Sequence, residues 1–177
     1  HPFLTVPGNP NLHPAGGEPH GPLTQALDGR LYGMTTVFGE NNRGAVFALD
    51  VSKSMLVSDM SPTRLARAKV AIANFIRRKG TGNVGLIAFS GQAFLQCPLT
   101  RDYDAFFRTL EETDTGSIQV VGTDIGRAIE EAELAFYSNR NRKLLIILTD
   151  GEDLEAGGIE MAKQLKRKGL VVHTVGV

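Results

Sequence analysis

The sequence lacks several features on which whole classes of protein depend. Its 177 residues include a single cysteine, Cys97, and no tryptophan. An internal disulfide framework and a multi-cysteine zinc site are therefore excluded. Lysine plus arginine and aspartate plus glutamate number 19 each, so the formal net charge is zero. A neutral chain has no bulk field that attracts nucleic acid, and we predict no nucleic-acid partner.

Long apolar runs are also missing. No run approaches the roughly 18 residues that a membrane-spanning helix needs. The sequence begins at His1 and shows no signal-peptide pattern. We interpret it as a fragment or a processed product, so any membrane association would come only through segments absent from this sequence.

Two regions of the sequence differ in composition. Residues 1–44 are rich in glycine, proline, asparagine and histidine and show no periodic apolar face, which predicts an irregular extension. Within this extension, Asp28-Gly29 between short apolar segments predicts a β-hairpin, and the run GENNRG at 39–44 predicts a second turn. Through Leu31-Tyr32-Gly33 and neighbouring glycines, residues 21–49 resemble one copy of a glycine-rich extracellular repeat of large verrucomicrobial surface proteins.

Residues 45–177 alternate between strand and helix patterns. Four apolar runs predict buried strands: AVFALDV from residue 45, NVGLIAF from residue 83, KLLIILT from residue 143 and LVVHTVGV from residue 170. Helices are predicted to begin at Ser61 as the N-cap with Pro62 in the first position, at Tyr103, at Thr123 and near Gly158. The alternation predicts an α/β fold with a doubly wound, mostly parallel sheet flanked by helices.

Oxygen-bearing side chains follow the ends of two predicted strands. Asp50 closes the first strand and is followed by Ser52 and Ser54, whereas Asp150 closes the strand KLLIILT. Thr123 begins a helix after a loop that can reach the same edge of the sheet. Ligands of an open parallel sheet bind beyond the carboxyl ends of its strands. An oxygen-only set of two acids and three hydroxyls favours a hard ion, with Mg²⁺ first and Mn²⁺ or Ca²⁺ as alternatives.

Each residue of this set also has an ordinary structural role open to it. Asp50, Ser52 and Ser54 suit a turn before a helix, Thr123 suits an N-cap, and Asp150 followed by glycine suits a turn. The three motifs together, D-x-S-x-S, G-T-D and T-D-G, are much less expected by chance. The metal site is therefore predicted from the combination.

Other reactive residue types give weaker signals. His173 alternates with valines in a predicted strand and is interpreted as a core residue. His13 and His20 lie in a loop rich in proline and glycine, where weak adventitious metal binding is the most they indicate. Cys97 has no histidine nearby in the sequence and is not predicted to be a nucleophile; Pro98 after it indicates a strand at a sheet edge.

The motifs DVSKS at 50–54, GTD around Thr123 and LTDGED around Asp150 resemble the von Willebrand factor type A (VWA) domain. The segments SMLVSDMSPTRLARAK and VGLIAFSGQAFLQCPLTRDYDAF resemble the bacterial Bat aerotolerance subgroup. The resemblance covers residues 45–177 and implies that Asp50, Ser52, Ser54, Thr123 and Asp150 form a metal-ion-dependent adhesion site. It also implies a Rossmann-like fold that is C-terminally truncated here, because the family sheet continues beyond the last predicted strand.

The resemblance implies a non-enzymatic domain that binds a partner protein through the partner's Asp or Glu and a bound Mg²⁺ ion. It also implies a location in the cell envelope or outside the cell. Two alternatives stay open from the sequence. One is a Mg²⁺-dependent phosphohydrolase with Asp50 as nucleophile, although Ser52 occupies the position where such enzymes carry a second acid. The other is a subunit that works with an AAA ATPase of the MoxR or chelatase type.

Overall fold

The computed structural model describes residues 24–25, 31–32, 44–59, 61–79, 82–136, 143–151 and 158–177. The chain divides into two compact units, His1–Asn41 and Asn42–Val177. In the first unit, β1 (Thr24–Gln25) pairs antiparallel with β2 (Leu31–Tyr32), which agrees with the hairpin predicted at Asp28-Gly29. The second predicted turn, both loop histidines and most of the repeat-like stretch lie outside the described residues.

The second unit contains a five-stranded sheet in the order β5-β4-β3-β6-β7. Its strands are β3 (Gly44–Asp50), β4 (Asn83–Phe89), β5 (Ala93–Thr100), β6 (Lys143–Thr149) and β7 (Leu170–Gly176). The β3-β4, β3-β6 and β6-β7 pairs are parallel, and β4-β5 is antiparallel. The prediction of a mostly parallel α/β sheet is confirmed, and β5 with Pro98 is an edge strand of it.

Helices cover both faces of this sheet. They are α1 (Arg64–Lys79), α2 (Tyr103–Glu112), α3 (Ile125–Ala135) and α4 (Gly158–Lys166). On one face, Phe47 of β3 makes edge-on ring contacts with Phe75 of α1 and Phe106 of α2. On the other face, Val46 and Ala48 join a buried cluster with residues of α3 and α4. Successive β3 side chains therefore pack against different helix pairs, as strand alternation requires.

Strand order places the reversal point of the sheet between β3 and β6. The chain leaves β3 toward β4 on one side, whereas β6 pairs with β3 on the other side. The carboxyl ends of β3 and β6 are therefore neighbours at the position where open α/β sheets bind ligands. Asp50 ends β3 and Asp150 directly follows β6.

Two predicted helix starts are wrong. The first helix begins at Arg64 and not at Pro62, because the Thr63 hydroxyl accepts the Ala66 N–H at 3.1 Å and takes the capping role assigned to Ser61. The third begins at Ile125, and its N-cap is Asp124, whose carboxylate accepts the Arg127 N–H at 2.9 Å. The charged acceptor next to Thr123 supplies the cap instead.

The prediction that β7 is a buried strand, with His173 in the core, is also wrong. His173 is exposed, as are Val171 and Val175, and Leu170 is the buried residue of the strand. Among the described residues, β7 pairs with β6 alone and forms an edge of the sheet. An apolar strand sequence does not distinguish an edge from the centre of a sheet.

None of the helices that the structure describes is long and apolar enough to cross a bilayer.

Candidate metal centre

Asp50 is fully buried at the end of β3, and both of its carboxylate oxygens are engaged. Oδ1 accepts the Ser52 backbone N–H at 2.9 Å, and Oδ2 accepts the Thr149 hydroxyl at 2.7 Å. Burial raises the pKa of Asp50 above its ordinary value, these hydrogen bonds oppose the rise, and the nearby charge of Asp150 adds to it. The carboxylate is therefore held in one orientation at a site that disfavours its uncompensated charge.

Ser52 and Ser54 bring their hydroxyls together directly after Asp50. Their Oγ atoms lie 2.9 Å apart. A short 3₁₀ turn, Lys53–Leu56, places them there, with the Met55 N–H donating to the Ser52 carbonyl at 3.1 Å. The turn bends the chain immediately beyond the strand and brings these two side chains closer together than the roughly 7 Å that separates residues i and i+2 in an extended strand. The hydroxyl pair and Asp50 form a contiguous set of oxygen atoms.

Asp150 contributes a second carboxylate, whose side chain is 2% exposed. Its Oδ2 accepts the Arg64 guanidinium Nη1 at 3.0 Å. Its Oδ1 is buried and has no hydrogen-bond partner within the described part of the chain. A buried carboxylate oxygen without a donor is costly, and a bound cation is one way to satisfy it. The buried Oδ1 of Asp150 is therefore the feature of this site that fits a bound metal ion.

Thr123 is 2% exposed and lies in a loop that Ser90 anchors. The Ser90 hydroxyl donates to the Gly122 carbonyl at 2.8 Å, and the Asp124 N–H donates to the Ser90 carbonyl at 2.8 Å. Thr123 is therefore fixed from both sides by the residue that follows β4. Because Asp124 caps α3, capping is not the role of Thr123.

Two glycines permit the close approach of this loop to the end of β4. A Cβ atom on Gly91 would lie 2.6 Å from the Val121 carbonyl oxygen and 2.8 Å from a Val120 side-chain atom. Gly122 has a φ of +141°, which L side chains rarely adopt. Both positions therefore require glycine if Thr123 is to keep its place.

The structure places four of the five predicted ligands in one connected set. Ser52 and Ser54 contact Asp50 or each other, and Thr149, the residue directly before Asp150, donates its hydroxyl hydrogen to Asp50. Thr123 is anchored to the neighbouring end of β4, where the Val51 N–H donates to the Phe89 carbonyl. The described residues contain no group of three or more His, Cys, Asp or Glu side chains suited to a metal. An ion held by the predicted set would therefore need hydroxyl ligands as well as the two acids.

Three residues that shape the site were missed from the sequence. Thr149 lies one residue beyond the Leu49–Leu148 register pair, so it could have been found only if the pairing of β3 with β6 were known. Ser90 fixes the Thr123 loop through hydrogen bonds with Gly122 and Asp124, and these contacts join residues that are distant in the sequence. Arg64 reaches Asp150 across 86 residues of sequence, and no local pattern signals that pairing.

Comparison with known proteins identifies the relatives of this chain. The family profile described as the von Willebrand factor type A domain matches residues 45–152. BatB from Bacteroides thetaiotaomicron is 38% identical with a TM-score of 0.72, over 75% of this chain and 65% of BatB. An aerotolerance-related membrane protein from Bacteroides fragilis is 36% identical with a TM-score of 0.72, over 76% of this chain and 67% of that one.

A more distant structure shares the fold alone. Proximal thread matrix protein 1 from the mussel byssus, solved with zinc in its MIDAS motif, is 21% identical with a TM-score of 0.63, over 76% of this chain and 35% of that one. The chain spans less than half the length of the curated relatives that it matches. It covers 31% of a Borreliella burgdorferi protein to which it is 32% identical over 110 residues, or 60% of this chain. From its fold, its strand-end motifs and these matches, the chain belongs to the von Willebrand factor type A domain family, and within that family it resembles the Bat aerotolerance proteins.

Proposed function

We propose that this domain binds a partner protein through a divalent ion, with Mg²⁺ as the favoured ion and Mn²⁺ or Ca²⁺ as substitutes. Asp50, Ser52, Ser54, Thr123 and Asp150 would hold the ion. When bound, the ion supplies a Lewis-acidic position that can accept a carboxylate oxygen from outside the domain. The observation that carries the proposal is the buried Oδ1 of Asp150, which has no hydrogen-bond partner among the described residues and follows the strand paired with the one that leads to the hydroxyl pair.

The hydrogen bonds and burial of Asp50 favour partner binding over catalysis. Both oxygens of Asp50 accept hydrogen bonds from the protein, and the side chain is fully buried. A nucleophilic aspartate needs an oxygen free to attack, so this arrangement does not favour the phosphohydrolase alternative. We therefore propose that the domain is not an enzyme.

Exposed apolar side chains occur in the same two loops as the hydroxyl ligands. Leu56 and Val57 follow Ser54 and are 49% and 45% exposed, whereas Val120 and Val121 precede Thr123 and are 43% and 75% exposed. Apolar residues around a polar centre are typical of protein-binding surfaces. They support a partner segment in which apolar residues flank the Asp or Glu.

The relatives support the same proposal in two respects. The mussel protein carries zinc in its MIDAS motif, which supports a divalent ion at the corresponding strand ends of this domain. The Bacteroides fragilis relative is an aerotolerance-related membrane protein, which supports a role at the cell envelope. A MoxR-type AAA ATPase system stays a second candidate partner, inferred from the resemblance to Bat proteins.

The proposal can be tested by selecting a displayed random peptide library on the chain in Mg²⁺ and then eluting with EDTA. We expect the eluted peptides to share an Asp or Glu, and a Glu→Gln change in each peptide to abolish its binding. Ser54→Ala should lose binding, whereas Ser58→Ala is the matched control because Ser58 is exposed in the same loop. Peptides that need no acid, or that resist EDTA, would contradict the proposal.

A further inference from the structure

Arg64 links the buried acid of the candidate centre to an acid at the surface. Its Nη1 donates to Asp150 Oδ2 at 3.0 Å, while its Nε and Nη2 donate to Asp59 at 3.0 and 2.6 Å. The side chain of Asp150 is 2% exposed, that of Arg64 24% and that of Asp59 49%. The Arg64 guanidinium therefore places a positive charge in contact with Asp150, a predicted metal ligand, while it also pairs with Asp59 at the surface.

This contact leaves the two oxygens of Asp150 in different environments. Oδ2 is occupied by the guanidinium, and Oδ1 is the buried oxygen that has no donor in the described part of the chain. A guanidinium holding one oxygen orients the carboxylate and reduces the negative charge that the other oxygen offers to an ion. Asp59 in turn neutralises part of the charge of Arg64.

We propose that Arg64 is a positioning residue that limits the negative charge of Asp150 at the ion, and that Asp59 sets how strongly it does so. The pair thereby leaves a bound ion more positive and more attractive to an outside carboxylate, in exchange for weaker binding of the ion itself. This inference rests on the metal site proposed above and adds to it a residue that determines the strength of carboxylate binding.

The proposal predicts opposite effects for the two members of the pair. Arg64→Gln removes a positive charge next to Asp150, so Mn²⁺ affinity should rise about tenfold. Asp59→Asn leaves the guanidinium charge on Asp150 less compensated, so Mn²⁺ affinity should fall several-fold. Arg64→Lys keeps the charge but not the fork that reaches both acids, so its Mn²⁺ affinity should lie closer to that of the unmodified chain than to that of Arg64→Gln.

The experiment is a Mn²⁺ titration of the full chain followed by electron paramagnetic resonance, with thermal unfolding in EDTA to confirm that each variant folds. Acetate, and acetamide as its uncharged control, are then titrated against the Mn²⁺-loaded protein. Acetate binding should weaken in Arg64→Gln although the metal binds more tightly. Arg67→Gln is the matched control, since Arg67 is exposed one turn along the same helix.

The outcomes separate the two proposals. Weaker Mn²⁺ binding in both Arg64→Gln and Asp59→Asn would show a merely structural bridge and overturn the inference, as would unchanged affinity in both. If the unmodified chain binds no Mn²⁺, the proposed metal site itself is overturned. Tighter metal binding with weaker acetate binding in Arg64→Gln is the result that supports the inference.

Discussion

Asp50 shows how a single residue can reduce the stability of a domain when its charge is not compensated. Burial raises its pKa above the ordinary value of 3.8 in the folded chain, so the folded state binds a proton more tightly than the unfolded state. The contribution of Asp50 to the free energy of unfolding therefore falls as the pH rises from about 3.8 through the raised pKa, and it levels off at higher pH.

We expect Asp50→Asn to raise the thermal unfolding temperature of the chain in EDTA at neutral pH. The amide keeps an oxygen for the Ser52 N–H and carries no charge to be buried. The same change should abolish the stabilisation by Mg²⁺, which for an intact site reaches about 2.7 kcal/mol at one hundred times the dissociation constant. Unfolding temperatures with EDTA and with Mg²⁺, from pH 4 to 8, measure both effects. A lower temperature in EDTA would contradict the assigned cause.

Thr123 and Asp124 are neighbours with different predicted roles, and substitution should separate them. Thr123→Val should weaken Mg²⁺ binding at least tenfold with little loss of stability, because the hydroxyl is a predicted ligand and the volume is nearly kept. Asp124→Ala should cost about 1 kcal/mol of stability through loss of the α3 cap. Calorimetric Mg²⁺ titration and chemical denaturation measure the two quantities. Equal losses of metal affinity would contradict the division.

At the scale of elements, the loop before α3 must lie against the end of β4 to present Thr123. Gly91→Ala places a methyl group within 2.6 Å of the Val121 carbonyl, so the loop has to move. We expect about 1–3 kcal/mol of destabilisation together with reduced Mg²⁺ affinity. Gly176→Ala is the control, because an added Cβ there meets nothing within 4 Å. Unfolding and metal titration of both variants test the point, and unchanged metal affinity in Gly91→Ala would contradict it.

The elements also show which features a sequence can and cannot reveal. The central strands were predictable because β3, β4 and β6 are continuous apolar runs that end at Asp50, Phe89 and Thr149. The helix starts at Tyr103 and near Gly158 were also predictable. The starts of α1 and α3 were not, because Thr63 and Asp124 compete as caps with equally suitable neighbours. The antiparallel β5 was indicated only by Pro98, since its half-exposed residues lack a continuous apolar run.

The residues of the candidate site also fall into two groups, those that the sequence reveals and those that only the structure reveals. Asp50, Ser52 and Ser54 form a local motif that can be found without a structure, and the two strand ends could be joined by the general rule for parallel sheets. Contacts that depend on exact register or on long-range packing were not predictable. Thr149 on Asp50 and Arg64 on Asp150 join residues 99 and 86 positions apart.

At the scale of the whole chain, all five predicted ligands belong to the unit Asn42–Val177. We expect residues 42–177, expressed without the first unit, to bind Mg²⁺ with the affinity of the full chain. Calorimetric titration of both proteins measures this, with circular dichroism to confirm folding. A loss of affinity in the shorter protein would show that the first unit contributes to the site.

The distance along the chain between Asp50 and Asp150 has a consequence for folding kinetics. These two acids meet only after β3 and β6 have paired, and we expect that pairing to form late in assembly because it closes a long loop. An ion that needs both acids cannot speed the search for this pairing; it can only hold the finished pair together. Mg²⁺ should therefore slow unfolding while leaving the refolding rate nearly unchanged, so the bound domain would persist longer without forming faster.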